Sequence, residues 1–192
     1  MYSSSCCSIM RFDSYQDMIP GGKLHLFSVY TDFGAYRRVR WVAQAIARLA
    51  GQRWQCPSEM WKLDSFIANE PINRIIAGDG AKADAIIVVV GSLEQRRPEL
   101  MAWLESLAPL EQGKTGLLIG VLGDEEDKGV ELDWTAKQLI QCAQKTNRKF
   151  IWHWMQHHDG EDSDWLAESV GALLAHKRSQ YRLIVAPEAA VA

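Results

Sequence analysis

Several features that would place this chain in a functional class at sight are missing from it. No stretch approaches the roughly 18 to 20 consecutive apolar residues that span a bilayer, so no membrane partner is expected. Met1 to Met10 has neither the basic start nor the apolar stretch of a secretory signal. The four cysteines, Cys6, Cys7, Cys56 and Cys142, show no CxxC spacing. They read as free thiols in a reducing compartment, and the expected location is cytoplasmic. A net charge of -3 gives no broad electrostatic footprint, so no nucleic-acid partner is expected. Ser92 is not embedded in GxSxG and has no identifiable activating base, which leaves nucleophilic catalysis without support. Neither an internal repeat nor a low-complexity linker occurs.

What is present is ordinary globular composition with a regular alternation of patterns. With 192 residues and 47% apolar residues, the chain can bury a core without staples. Residues 1–22 show no sustained period and end in Pro20-Gly21-Gly22, so they read as an N-terminal arm. Strand-like and helix-like segments then alternate five times over residues 23–180. The first strand is Leu24 to Tyr30, followed by a helix with Val39, Val42, Ala43, Ile46, Leu49 and Ala50 on one face, closed by Gly51. A weaker strand falls within Met60 to Leu63. Asn69 or Glu70 with Pro71 opens a helix carrying Ile72, Ile75 and Ile76.

Ala85 to Val90 is a continuous β-branched run of the kind covered on both faces, and Gly116 to Leu122 is another. Between them, Pro98 starts a helix with Leu100, Trp103, Leu104 and Leu107 at helical spacing. Asp133 is the expected cap of a helix bearing Ala136, Leu139, Ile140 and Ala143. The fifth strand is Phe150 to Met155, and Asp162 or Ser163 caps a final helix with Leu166, Val170, Leu173 and Leu174. Tyr181 to Val185 reads as a sixth strand-like run, an edge strand or docked tail within residues 181–192. The pattern predicts an α/β fold: an open, doubly wound, parallel five-stranded sheet in the order 2-1-3-4-5, with helices on both faces.

Two stretches carry a resemblance. Tyr30-Thr31-Asp32-Phe33-Gly34-Ala35-Tyr36, leading into Val42 to Ala47, is similar to the first strand, phosphate loop and helix of a flavodoxin. Ala83 to Val88, through Pro98-Glu99-Leu100 and Trp103-Leu104 to Gly113-Lys114, resembles the central strand and following helix of the flavodoxin and flavin-reductase superfamily. Together they cover about a third of the chain. The resemblance implies a flavodoxin-like fold and, as cofactor, FMN. Within the loop only Thr31 and Gly34 match the hydroxyl-rich, N–H-rich pattern that cages a phosphate, and Asp32 puts a negative charge where the dianion would sit. A response-regulator receiver shares the architecture, but Gly91-Ser92 stands where its phosphorylatable Asp would end the central strand. The chain also resembles a group of uncharacterised bacterial proteins of this architecture, which implies no activity.

Open α/β sheets bind ligands outside the carboxyl ends of their strands, near the reversal of strand order. The residues expected on that rim are Thr31, Asp32 and Gly34, then Gly91, Ser92 and Glu94, then Asp124. His157, His158 and Asp159 follow the fifth strand and are candidate metal ligands by residue type. Asp32 with His157 or His158 would make an acid/base pair if the loops meet; otherwise Asp32 caps the first helix. Arg37, Trp41, Gln44 and Arg48 fall opposite that helix's apolar stripe. Trp and Arg dominate interface hot spots, so this face suits a protein partner or self-association, unless the arm or tail covers Trp41.

These residues give a first expectation of a module that binds a partner protein or small ligand, at the rim or on the first helix, with no identifiable catalytic motif. The alternative is an FMN-dependent oxidoreductase or flavodoxin-like electron carrier. A metal-assisted hydrolase built on Asp32, His157, His158 and Asp159 is the third expectation.

Overall fold

In a computed structural model, which describes residues 22–91, 98–110, 115–122, 130–154 and 163–185, the two most apolar runs lie side by side. They are β3 (Ala85–Val90) and β4 (Gly116–Leu122), and every residue of both is buried. β1 (Leu26–Tyr30) flanks β3, β2 (Ser58–Lys62) forms one edge and β5 (Arg148–Trp154) the other. All four pairings are parallel, in the order β2-β1-β3-β4-β5. A strand covered on both faces gains from apolar side chains in either direction, which is why β3 and β4 read as unbroken runs.

The helices divide between the faces. α1 (Phe33–Ala50) and α6 (Asp164–Val185) cover one face around Leu26, Val39, Ile46, Ile87, Ile119 and Val170. On the other face lie α2 (Leu63–Phe66), α3 (Glu70–Lys82), α4 (Pro98–Leu107) and α5 (Val130–Lys145). Phe27, Phe66, Ile86, Trp103, Leu118 and Leu139 form the core there. Trp103 is stacked on Phe27 at 5.8 Å and meets Phe66 edge-on at 5.7 Å, so one indole joins sheet, α2 and α4.

Local chemistry sets the helix ends. Asp32 caps α1, Asn69 caps α3 through Ile72 N–H, and Gly51 closes α1 at φ 78°, where a side chain would be strained. Five expectations are corrected. Tyr181–Val185 continues α6 instead of forming a strand, because no Gly or Pro separates it from the helix until Pro187. α5 starts at Val130, so Asp133 lies inside it and is not its cap. In α3, Ile72 and Ile75 are exposed, and the buried stripe is Ile76, Ala77, Gly80 and Ala81. Ile140 of α5 and Leu49 of α1 also stand exposed, at the margins of their stripes. α2 is an added turn. Among the described residues no helix is long and apolar enough to cross a membrane.

Candidate functional site

The order β2-β1-β3 reverses the direction of chain progress between β1 and β3, so the carboxyl ends of those two strands flank the crevice where such sheets bind ligands. In this chain the crevice is tied across. The Gly91 N–H donates to Thr31 Oγ1 at 3.0 Å, and the Thr31 hydroxyl donates to Asp32 Oδ2 at 3.1 Å. Asp32 Oδ1 accepts from the Ala35 N–H at 2.9 Å, while its carbonyl accepts from Tyr36 N–H at 3.0 Å. Of the two roles weighed for Asp32, the geometry gives it the helix cap.

Gly91 makes that arrangement sterically feasible. A Cβ on Gly91 would lie 2.8 Å from Asp32 Oδ1 and closer still to Oδ2, so the carboxylate occupies the space a side chain would need. Gly34, in the first turn of α1, also faces the carboxylate, and a Cβ there would make a tight contact at 3.2 Å from Oδ1. The rim expected around Thr31, Asp32, Gly34 and Gly91 is therefore one connected cluster. Ser92, Glu94, Asp124, His157, His158 and Asp159 lie outside the described residues. Among the described residues no group of three His, Cys, Asp or Glu side chains could hold a metal ion.

The phosphate end of an FMN does not fit here. β1 ends at Tyr30 and α1 begins at Phe33, leaving only Thr31 and Asp32 between them. The helix N-terminus, which would supply N–H groups to an anion, already has a carboxylate bound to it. A second anion at about 4 Å would be opposed by about 1 to 4 kcal/mol per unit charge, depending on local polarity. Burial pushes the Cys56 and Cys142 thiols above their ordinary value, which works against the thiolate form at these two positions.

Beside the cluster, an aromatic group missed in the sequence stands at the start of α1. Phe33 is 77% exposed, Tyr36 stacks against it at 6.3 Å, and Tyr30 meets Tyr36 at 5.3 Å. The Arg40 guanidinium lies 5.9 Å from the Tyr36 ring centre. The available signal was Phe33 and Arg40 sharing one helix face with Arg37 and Gln44. Arg37, Gln44 and Arg48 are exposed, whereas Trp41 is half-buried against the α1 and α6 core, so part of its cover comes from its own chain. At the far edge of the sheet, His153 of β5 stacks on Trp165 at 4.6 Å and 9°. A groove of about 650 Å³ between α3 and α4, floored by Ala77 and Trp103, lies away from this rim.

No protein-family model and no curated protein matches the sequence. Solved structures match its shape. An oxidoreductase from Corynebacterium diphtheriae aligns over 82% of this chain and 97% of its own, with a TM-score of 0.58 at 9% identity. A flavodoxin from Streptococcus pneumoniae TIGR4 aligns over 80% of this chain and 99% of its own, with a TM-score of 0.50 at 18% identity. At such identities the likeness is one of architecture, and it agrees with the parallel sheet ordered 2-1-3-4-5: the chain has the flavodoxin-like fold.

Proposed function

We propose that this chain is a flavodoxin-like module that works by binding a protein partner and carries no flavin. The observation behind this reading is the Asp32 carboxylate, seated over Gly91 and bonded to the first turn of α1, in the place a bound phosphate would need. A fold whose customary ligand pole is tied across by Thr31, Asp32 and Gly91 retains its helix faces as working surface. The rival reading, an FMN-dependent oxidoreductase or electron carrier, draws support only from likeness of fold. An absorption spectrum and native mass of freshly purified, untagged protein separate the two. The expected result is no flavin band and the mass of the bare chain or a simple multiple of it. A flavin band with matching added mass would reverse the assignment.

A further inference from the structure

Helices on a protein surface normally offset their own charges, and α3 does so. Its first turn carries Glu70, its last turn Lys82, and Glu70–Arg74 and Asp79–Lys82 are paired along its length. α1 does the opposite. Its sequence, FGAYRRVRWVAQAIARLA, contains Arg37, Arg38, Arg40 and Arg48 and no acidic residue, in a chain whose net charge is -3. At 100° per residue, Phe33, Arg37, Arg40, Gln44 and Arg48 fall within one narrow outward stripe, diametrically opposite the buried Val39, Val42 and Ile46. The stripe runs about 22 Å along the helix.

Among the described residues no carboxylate pairs with Arg37, Arg40 or Arg48, and Arg37 and Arg40 stand three residues apart, where like charges repel. The stripe begins at Phe33, an aromatic ring 77% exposed, and is flanked by the partly buried Tyr36 and Trp41. Arginine and aromatic side chains are the groups that interface centres favour, and the planar guanidinium fork matches a carboxylate in two bonds.

We propose that the outward stripe of α1, from Phe33 to Arg48, docks an acidic segment of a partner protein, with carboxylates on Arg37, Arg40 and Arg48 and an apolar or aromatic side chain on Phe33. This rests on the partner-binding reading above and supplies the chemistry of the partner. Charge complementarity sets the class. Three guanidinium groups over this length suit a short acidic peptide, whereas duplex nucleic acid is usually held by more phosphate contacts and would meet an overall negative chain.

The test is fluorescence anisotropy with a labelled poly-glutamate peptide, a poly-lysine peptide and a single-stranded oligonucleotide, each titrated with wild type and with Arg37→Glu/Arg48→Glu. Both positions are exposed, and a thermal melt checks that the variant folds. Expected is salt-sensitive binding of poly-glutamate alone, weakened about tenfold or more by the double reversal. Poly-glutamate binding that is absent, or unchanged by the reversal, overturns the proposal. Tighter binding of the oligonucleotide overturns it in favour of nucleic acid. A wild-type dimer that the double reversal splits overturns it in favour of a second copy. A colourless protein that ignores poly-glutamate defeats this inference alone, whereas a flavin band defeats the reading beneath it.

Discussion

Two glycines at opposite ends of the sheet each leave room for one charged side chain, and the two pockets are closed differently. At the amino end, a Cβ on Gly116 would lie 2.6 Å from Arg148 Nη1 and 2.8 Å from the Asp84 carbonyl. Arg148 is buried there, donating to the Ala83 carbonyl at 3.0 Å and reaching those of Ala81 and Leu117 at 3.5 Å. Next to it the Asp84 carboxylate takes the His25 N–H at 2.9 Å and the Lys177 ammonium at 2.7 Å. At the carboxyl end, Gly91 leaves room for Asp32, which is exposed and held by two local hydrogen bonds, with no cation paired to it among the described residues. The amino end is a structural clamp joining β3, β5, α3 and α6. The carboxyl end is a filled seat that faces solvent, so its charge decides what can approach.

Substitutions at the two ends should separate these roles. Asp84→Ala removes one partner of the buried pair and leaves the Lys177 ammonium largely desolvated, so we expect a loss of about 3 to 5 kcal/mol in urea unfolding. Gly116→Ala drives a methyl into the guanidinium and a backbone carbonyl, at a cost of about 3 kcal/mol. Arg148→Ala should not rescue it, since the Asp84 carbonyl remains in place; full rescue would show that the guanidinium alone set the limit.

Gly91→Ala should be milder, about 1 to 2 kcal/mol, because the Asp32 carboxylate can swing out at the expense of its cap. In an Asp32→Ala background the same change should be close to neutral, a coupling of about 1 to 2 kcal/mol in a double-mutant cycle. Additive losses would mean that the carboxylate does not occupy the Gly91 notch.

The smallest effect concerns pH. Burial is the main cause that raises the Cys142 thiol, with the nearby Glu105 carboxylate adding to it and Lys145 opposing. The unfolded thiol ionises near its ordinary 9.0 while the folded one keeps its proton, so stability is intact below that pH and falls as pH rises beyond it. The urea midpoint should therefore decline above pH 9.0 in wild type, less steeply in Cys142→Ala. Identical slopes would show that the thiol makes no contribution.

Much of the architecture was legible in the sequence because doubly covered parallel strands must be apolar throughout, as Ala85–Val90 and Gly116–Leu122 are. Tyr181–Val185 was misread because a short apolar run has no period of its own, and only its continuity with α6 decides its state. The cap at Asp32 could be anticipated from residue type and position. Its fit over Gly91 could not, since the two residues lie far apart in sequence and meet only when β1 and β3 pair. Phe33 was passed over because it was read as part of the loop after the first strand, whereas α1 starts at Phe33 and so includes it in the face of Arg37, Arg40 and Gln44.

The measurement that tests the central claim most directly is titration of wild type with FMN, followed by flavin fluorescence quenching. The occupied Asp32 seat predicts no saturable quenching up to about 1 mM, a binding free energy weaker than about 4 kcal/mol. Stoichiometric quenching at micromolar FMN would contradict it, and would mean that the carboxylate leaves Gly91 and the first turn of α1 to admit a phosphate.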